Sequence, residues 1–141
     1  MIHDILKIAD IHAARIQQAL DQVGHLFPMD ARTVETIGIQ ELAWVDLMIN
    51  RFAKLQDIIG AKLIDAFLEQ RQEEVIGLSM LDKIHKLERL SVLDATLWKK
   101  MRDACNHAAH EYPDAPALTA EYLNRLFALV PALLELLQKL R

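Results

Sequence analysis

The stretch that decides the fold runs from Val34 to Phe67 and reads VETIGIQELAWVDLMINRFAKLQDIIGAKLIDAF. Its apolar residues recur every three or four positions and include Val34, Ile37, Leu42, Val45, Ile49, Phe52, Leu55, Ile59, Leu63 and Phe67. This spacing is typical of an amphipathic helix, whereas a half-buried strand would alternate strictly. We therefore predict a helix of about 40 residues, from a cap at Asp30 to Gln72, with a bend near Arg51–Asp57 or at Gly60.

Helical spacing continues through most of the remaining chain. Three helix starts carry a side-chain oxygen that can accept a backbone hydrogen bond: Asp30 and Asp94 as simple caps, and Ser79 with Asp82 as a capping box. The further helices that we predict are His3–Gly24, Met80–Leu90, Ala95–His110 and Ala117–Lys139, the last kinked at Pro131. Four main helices plus a short helix favour one all-α domain over residues 1–141, folded as an antiparallel up-and-down bundle.

The composition agrees with a globular helical protein and limits the classes of function. Of the 141 residues, 52% are hydrophobic and 26% are charged, which excludes a disordered chain. The formal net charge of -4 argues against a protein that coats nucleic acid non-specifically.

The same features indicate where the protein works. A single cysteine, Cys105, excludes an internal disulfide and favours a reducing, cytoplasmic location. The first residues, MIHDILKIAD, lack the apolar core of a signal peptide. Leu126–Leu137 is strongly apolar but short and interrupted by Pro131 and Glu135, so we expect a helix buried in the bundle or at a subunit interface, and no membrane span.

The polar run Arg102–Tyr112 is the best candidate for chemistry. On a helix, Arg102, Asn106 and His110 fall near one line, and Asp103 and His107 form a neighbouring pair. A histidine acts as a general acid or base near neutral pH and an arginine stabilises a charged phosphate, so such a line can cleave RNA without a metal. The structural alternative is that histidines near a helix C-terminus only cap it.

Two further interpretations are weaker. A metal site from Cys105, His107 and His110 is disfavoured because Cys105 lies roughly opposite one of the histidines on a helix, and a buried thiol is the commoner state for such a cysteine. A second polar concentration, with Arg51 and Lys54, is either a solvated face or a set of partners for the Arg102–His110 helix.

Three stretches together resemble HEPN-domain proteins of the HepT-like group, relatives of the subunits that partner nucleotidyltransferases. They are Arg51–Leu63 with RFAKLQD and GAKL, Leu81–Leu90 with LDKIHKLERL, and Trp98–Asp114 with Arg102-Asp103, Asn106 and HEYPD from His110. They keep the order of the family and cover roughly positions 45 to 115.

The resemblance implies a helical bundle that dimerises and needs no cofactor or metal. Many members are metal-independent ribonucleases, and several are toxins paired with a nucleotidyltransferase-type antitoxin. The resemblance matches Asn106 to the polar residue of the family motif, His110 to its histidine, and Tyr112 to a tyrosine that can receive AMP from the partner enzyme.

One position departs from the motif, because Cys105 stands where the family has arginine. Arg102 lies one turn earlier and can reach the same phosphate, or it can pair with His107 in a shifted register that loses the tyrosine match. A cysteine supplies neither a fixed positive charge nor a two-pronged phosphate contact.

Three hypotheses follow. The first is a toxin–antitoxin ribonuclease with His110 as acid or base, Arg102 as phosphate clamp and Asn106 as orienting residue. His107, Arg51 and Lys54 are its possible accessory residues. The second is a non-catalytic dimer that binds a nucleotidyltransferase partner or a nucleotide, and the third is a structural dimer without a ligand.

Overall fold

The computed structural model describes residues 1–141 and consists of helices without strands. The helices are α1 (Ile2–Val23), α2 (Ala31–Thr36), α3 (Ile39–Ile58), α4 (Ile64–Gln70), α5 (Met80–Arg89), α6 (Ala95–Ala108) and α7 (Pro116–Lys139). A 3-10 turn, Gly24–Leu26, follows α1, and a π-helical turn, Ile59–Leu63, joins α3 to α4. The predicted all-α bundle is confirmed.

Side-chain caps fix three of the helix starts, as the sequence predicts. Asp30 accepts a hydrogen bond from the backbone N–H three residues later at 2.8 Å, and Asp94 does the same at 2.6 Å. Ser79 and Asp82 form the full capping box, in which each side chain accepts from the other residue's backbone N–H at 3.1 and 3.2 Å. These bonds satisfy donors that a helix start otherwise leaves free.

The predicted 40-residue helix is interrupted in two places. It breaks before α3, where Gly38 adopts an extended conformation and acts as the N-terminal boundary of that helix. The second interruption is the π turn, in which the Ile64 N–H bonds to the Ile59 carbonyl oxygen, five residues back. The π turn contains Gly60, one of the two positions where a bend is expected.

Close packing against Trp98 explains why position 60 is a glycine. A Cβ built there would lie 3.1 Å from Cζ2 of Trp98, which is tighter than an ordinary carbon contact. Gly60 therefore lets the π turn approach the indole of α6 closely.

Helix α6 ends at Ala108, two residues before the predicted end at His110. The Ala109 N–H still bonds to the Cys105 carbonyl oxygen at 3.1 Å, but His110 bonds only three residues back, to His107 at 3.3 Å. Pro113 lacks the N–H that the next helical turn would need, so the helix cannot continue through it. His110 and Tyr112 therefore lie in the segment that links α6 to α7.

Helices α3 and α4, joined by the π turn, together form the α3–α4 rod. One face of this rod forms the centre of the main core. Phe52, Leu55, Ile59, Leu63 and Phe67 lie on it and are almost completely buried. Helices α1, α6 and α7 pack around this row, with α1 making the most extensive contact with α3. This packing gives α3 two flanks, one against α1 and one against α6.

Helix α7 is long and apolar enough to cross a membrane by length and composition alone. In the structure, one side of its second half is buried in the main core through Leu126, Val130, Leu133, Leu136 and Leu137. The expected packing of Leu126–Leu137 inside the bundle is thus observed for this side of the helix.

A pair of hydrogen bonds ties α7 to the loop before α2. The Met29 N–H donates to Oδ1 of Asn124 at 2.7 Å, and Nδ2 of Asn124 donates to the Met29 carbonyl oxygen at 2.9 Å. Met29 is buried, so both backbone groups depend on this amide for their hydrogen bonds.

We expect Asn124→Ala to lower the free energy of unfolding by about 1–3 kcal/mol, because it leaves a buried backbone donor and acceptor unpaired. Urea unfolding followed by circular dichroism measures this change. The matched control is Asn50→Ala on the exposed face of α3, where we expect a change below about 0.5 kcal/mol. Equal stability of the two variants would contradict the proposed role of Asn124.

Candidate functional site

The α3–α6 cleft is an open groove of about 610 Å³ between those two helices. From α6 it is lined by Arg102, Cys105 and Asn106, and from α3 by Gln56 and Asp57. Its other lining residues are Ala53, Gly60, Ala61, Met80, Trp98 and Ala109. Two residues of the predicted line, Arg102 and Asn106, thus face one groove.

Unpaired polar groups line this cleft. Asp57 and Arg102 both face it, yet neither is in an ion pair within 4 Å. Gln56 is 5% exposed and makes no side-chain hydrogen bond within the protein, and Nε1 of Trp98, which also lines the cleft, is buried without a hydrogen-bond partner. A buried indole N–H normally finds a partner, so the cleft offers hydrogen-bonding capacity that the protein itself leaves unused.

His110 lies outside the cleft. It follows the end of α6, is exposed, and does not belong to the cleft lining. The predicted line of Arg102, Asn106 and His110 on one helix face is therefore not formed, because the last of the three has left the helix. Ala109, the residue before it, still lines the cleft.

His107 and Tyr112 pack on the opposite side of α6, against α7. The His107 ring stacks on Tyr122 with centroids 4.5 Å apart and planes inclined by 12°. The Tyr112 ring lies 5.3 Å from the same Tyr122 ring. The shifted register, with Arg102 and His107 acting together, is not supported, because these two side chains line different pockets.

Asp103 and His107 interact as a pair, but through the backbone. Nδ1 of His107 donates to the Asp103 carbonyl oxygen at 2.8 Å. A carbonyl oxygen only accepts, so Nδ1 carries the proton and, in the neutral ring, Nε2 carries the lone pair.

Cys105 is a buried, protonated thiol with 8% of its surface exposed. Removal from water, together with the negative charge of Asp57, raises its pKa to about 12. The expectation of a buried cysteine is confirmed. At this position the cleft has a neutral group beside an unpaired carboxylate.

Arg51 and Lys54 lie on the other flank of α3, toward α1. Nη1 of Arg51 is 3.0 Å from Nδ1 of His12, which accepts this hydrogen bond. Burial lowers the pKa of His12, and the positive charges of Arg51 and Lys54 lower it further. The structure therefore pairs Arg51 with α1 and not with the Arg102–His110 segment.

Asp46 on α3 lies near Glu111, which is in the segment that links α6 to α7. Partial burial raises the pKa of Asp46 on α3, and the nearby charge of Glu111 raises it further. Across residues 1–141, no group of three His, Cys, Asp or Glu side chains is placed to hold a metal ion.

Sequence reasoning missed three residues that the fold brings to these sites: His12, Gln56 and Tyr122. Gln56 belongs to the quoted RFAKLQD stretch, but its burial depends on how α6 covers α3. His12 and Tyr122 meet their partners across helices, 39 and 15 residues apart in the chain, where helical spacing carries no signal.

We expect the Cys105 thiol to react at least about a hundredfold more slowly in the folded protein than in guanidinium chloride, because only the thiolate attacks. Dithiobis(nitrobenzoate) at pH 8, four units below the pKa of about 12, measures this rate. Because Cys105 is the only cysteine, the released chromophore reports this residue alone. If the folded protein reacts within about tenfold of the unfolded rate, Cys105 has an accessible thiolate and the expectation is wrong.

No protein-family model, no curated protein and no solved structure matches this chain. The residues of the α3–α6 cleft and of the segment after α6 are therefore the basis for assigning a function.

Proposed function

We propose that this chain is a HepT-like HEPN protein that forms a homodimer in the cytoplasm and acts with a nucleotidyltransferase-type antitoxin, and that its own RNA-cleaving site is inactive. The family assignment is supported by the resemblance of three stretches, Arg51–Leu63, Leu81–Leu90 and Trp98–Asp114. The single observation that carries the inactive site is Cys105, a buried thiol at the position of the motif arginine.

The charges around position 105 also support an inactive RNA-cleaving site. Cleavage of RNA needs a positive group beside the phosphate as charge develops in the transition state. At position 105 the cleft offers a neutral thiol, and the nearby Asp57 carboxylate has no cationic partner. The Asp57 carboxylate is close enough to raise the pKa of Cys105, and it would repel a phosphate bound at that position in the partly desolvated cleft.

A second candidate is the metal-independent ribonuclease in which Arg102 replaces the missing arginine. The observation that favours it is that Arg102 faces the same cleft as Asn106 and has no carboxylate partner. In this candidate His110, which directly follows the cleft residue Ala109, swings toward the cleft when RNA binds and acts as acid or base.

We expect the wild-type dimer to leave RNA intact and Cys105→Arg to gain cleavage of at least about tenfold, since an arginine there supplies the phosphate contact and can be oriented by Asp57. Gel analysis of a mixed RNA substrate with added chelator measures this activity. Cys105→Ser is the matched control, because it keeps the size but adds no charge, and we expect it to stay inactive.

The double variant Cys105→Arg with His110→Ala should lose the gained activity, since the arginine alone cannot transfer a proton. Cleavage by the wild type that is lost in Arg102→Gln and in His110→Ala would overturn the inactive site and establish the second candidate. An inactive wild type together with an inactive Cys105→Arg variant would contradict both assignments of this cleft.

The partner proposal gives a separate test at Tyr112. With a cognate nucleotidyltransferase and ATP, we expect mass spectrometry to find AMP on Tyr112 in the wild type and none in Tyr112→Phe. Tyr122→Phe is the matched control, because Tyr122 is the neighbouring ring, and it should keep the modification. AMP on the Tyr112→Phe protein would place the modification on another residue.

A further inference from the structure

A second pocket, the α6–α7 pocket, lies on the opposite side of α6 from the α3–α6 cleft. Its volume is about 440 Å³, within the range of small-molecule sites, roughly 300–1,000 Å³. Ala104, Ala128 and Leu129 form the apolar part of its lining. The two alanines leave this space open, because a longer side chain at either position would project into it.

An aromatic wall stands beside this apolar surface. It consists of Tyr122 and the His107 ring stacked on it, 4.5 Å away. The bond from His107 Nδ1 to the Asp103 carbonyl oxygen fixes the orientation of the imidazole and leaves Nε2 without a partner in the protein. A flat or short apolar group fits against such a wall and gains dispersion contacts from it.

Positive charge lines the same pocket. Lys100 from α6 and Arg125 from α7 both belong to the lining, and Lys100 has no carboxylate within 4 Å. Arg125 pairs with Glu121 and lies with its guanidinium carbon 5.6 Å from the centre of the Tyr122 ring. Asp103 is the one carboxylate of the lining, and its nearest cation is Lys99, at 3.9 Å.

The lining carries two cations and an imidazole against one carboxylate, so its charge balance is positive although the chain as a whole carries a net charge of -4. An oxyanion is the group that these nitrogen atoms recognise, through charge-assisted hydrogen bonds. The apolar lining selects an anion that carries a hydrophobic group, whereas a bare ion would leave the alanine and leucine surface wet.

We infer that the α6–α7 pocket binds a small amphipathic oxyanion, a phosphate monoester or carboxylate attached to a flat or short apolar group. The apolar group lies against Ala104, Ala128 and the Tyr122 ring. The oxyanion lies between Lys100 and Arg125. This site is separate from the α3–α6 cleft and does not depend on the proposed function.

The test uses the full-length wild-type protein and phenyl phosphate as the probe, followed by nuclear magnetic resonance shifts of the backbone and of the His107 ring. We expect saturable binding that is at least about tenfold tighter than that of either inorganic phosphate or phenol, because each comparator lacks one half of the recognition. Benzoate is the second arm, and tighter binding of benzoate than of phenyl phosphate would assign the site to carboxylates.

Matched variants locate the binding. Lys100→Gln and Arg125→Gln should each weaken phenyl phosphate by about five- to tenfold, whereas Lys99→Gln, next in sequence but outside the lining, should stay within about twofold. Ala128→Leu fills the pocket from an exposed position of α7 and should abolish saturable binding while the protein keeps its thermal transition.

Three results would overturn the inference. The first is the absence of any saturable shift at about 10 mM phenyl phosphate, which is about the largest dissociation constant expected for specific binding of a ligand of this size. The second is equal weakening by Lys99→Gln and Lys100→Gln, which would indicate a diffuse charge effect. The third is unchanged binding in Ala128→Leu. If that variant does not fold, the comparison of Lys99→Gln with Lys100→Gln decides alone.

Discussion

The structure depends on the burial of one face of the α3–α4 rod. Phe52, Leu55, Ile59, Leu63 and Phe67 form a single apolar row that α1, α6 and α7 enclose. Hydrophobic burial of this kind is the dominant favourable term in folding. Because the row is enclosed from several sides, the two flanks of α3 are left to carry polar residues, and these flanks become the α1-facing Arg51 and the α6-facing Gln56 and Asp57.

This arrangement also explains why the polar run after Trp98 divides between two surfaces. Helix α6 lies between α3 and α7, and its buried side contains Trp98, Met101, Ala104 and Cys105. Residues on either side of that buried stripe must face different neighbours. Arg102 and Asn106 therefore lie in the α3–α6 cleft, while Asp103 and His107 meet α7.

The fold class could be predicted from the sequence because helical spacing and caps are local signals. Asp30, Ser79 and Asp94 begin helices where expected, and their side chains each reach a backbone group only three residues away. The break at Gly38 and the end of α6 at Ala108 were missed, because the apolar pattern runs through the first and the polar run through the second. The site was harder, since His12, Gln56 and Tyr122 acquire their surroundings only when helices pack.

The π turn at Ile59–Leu63 has a consequence for the register of the long rod. Its five-residue hydrogen bond accommodates one more residue than a regular α-helical turn. One residue corresponds to about 100° of rotation around a helix axis. Without this wide turn, the residues of α4 would be rotated by about that angle relative to α3, and the buried side chains of Ile64, Phe67 and Leu68 would face a different part of the core. The turn thus sets the angular position of α4 around the helix axis relative to α3, and with it the part of the core that each buried residue of α4 contacts.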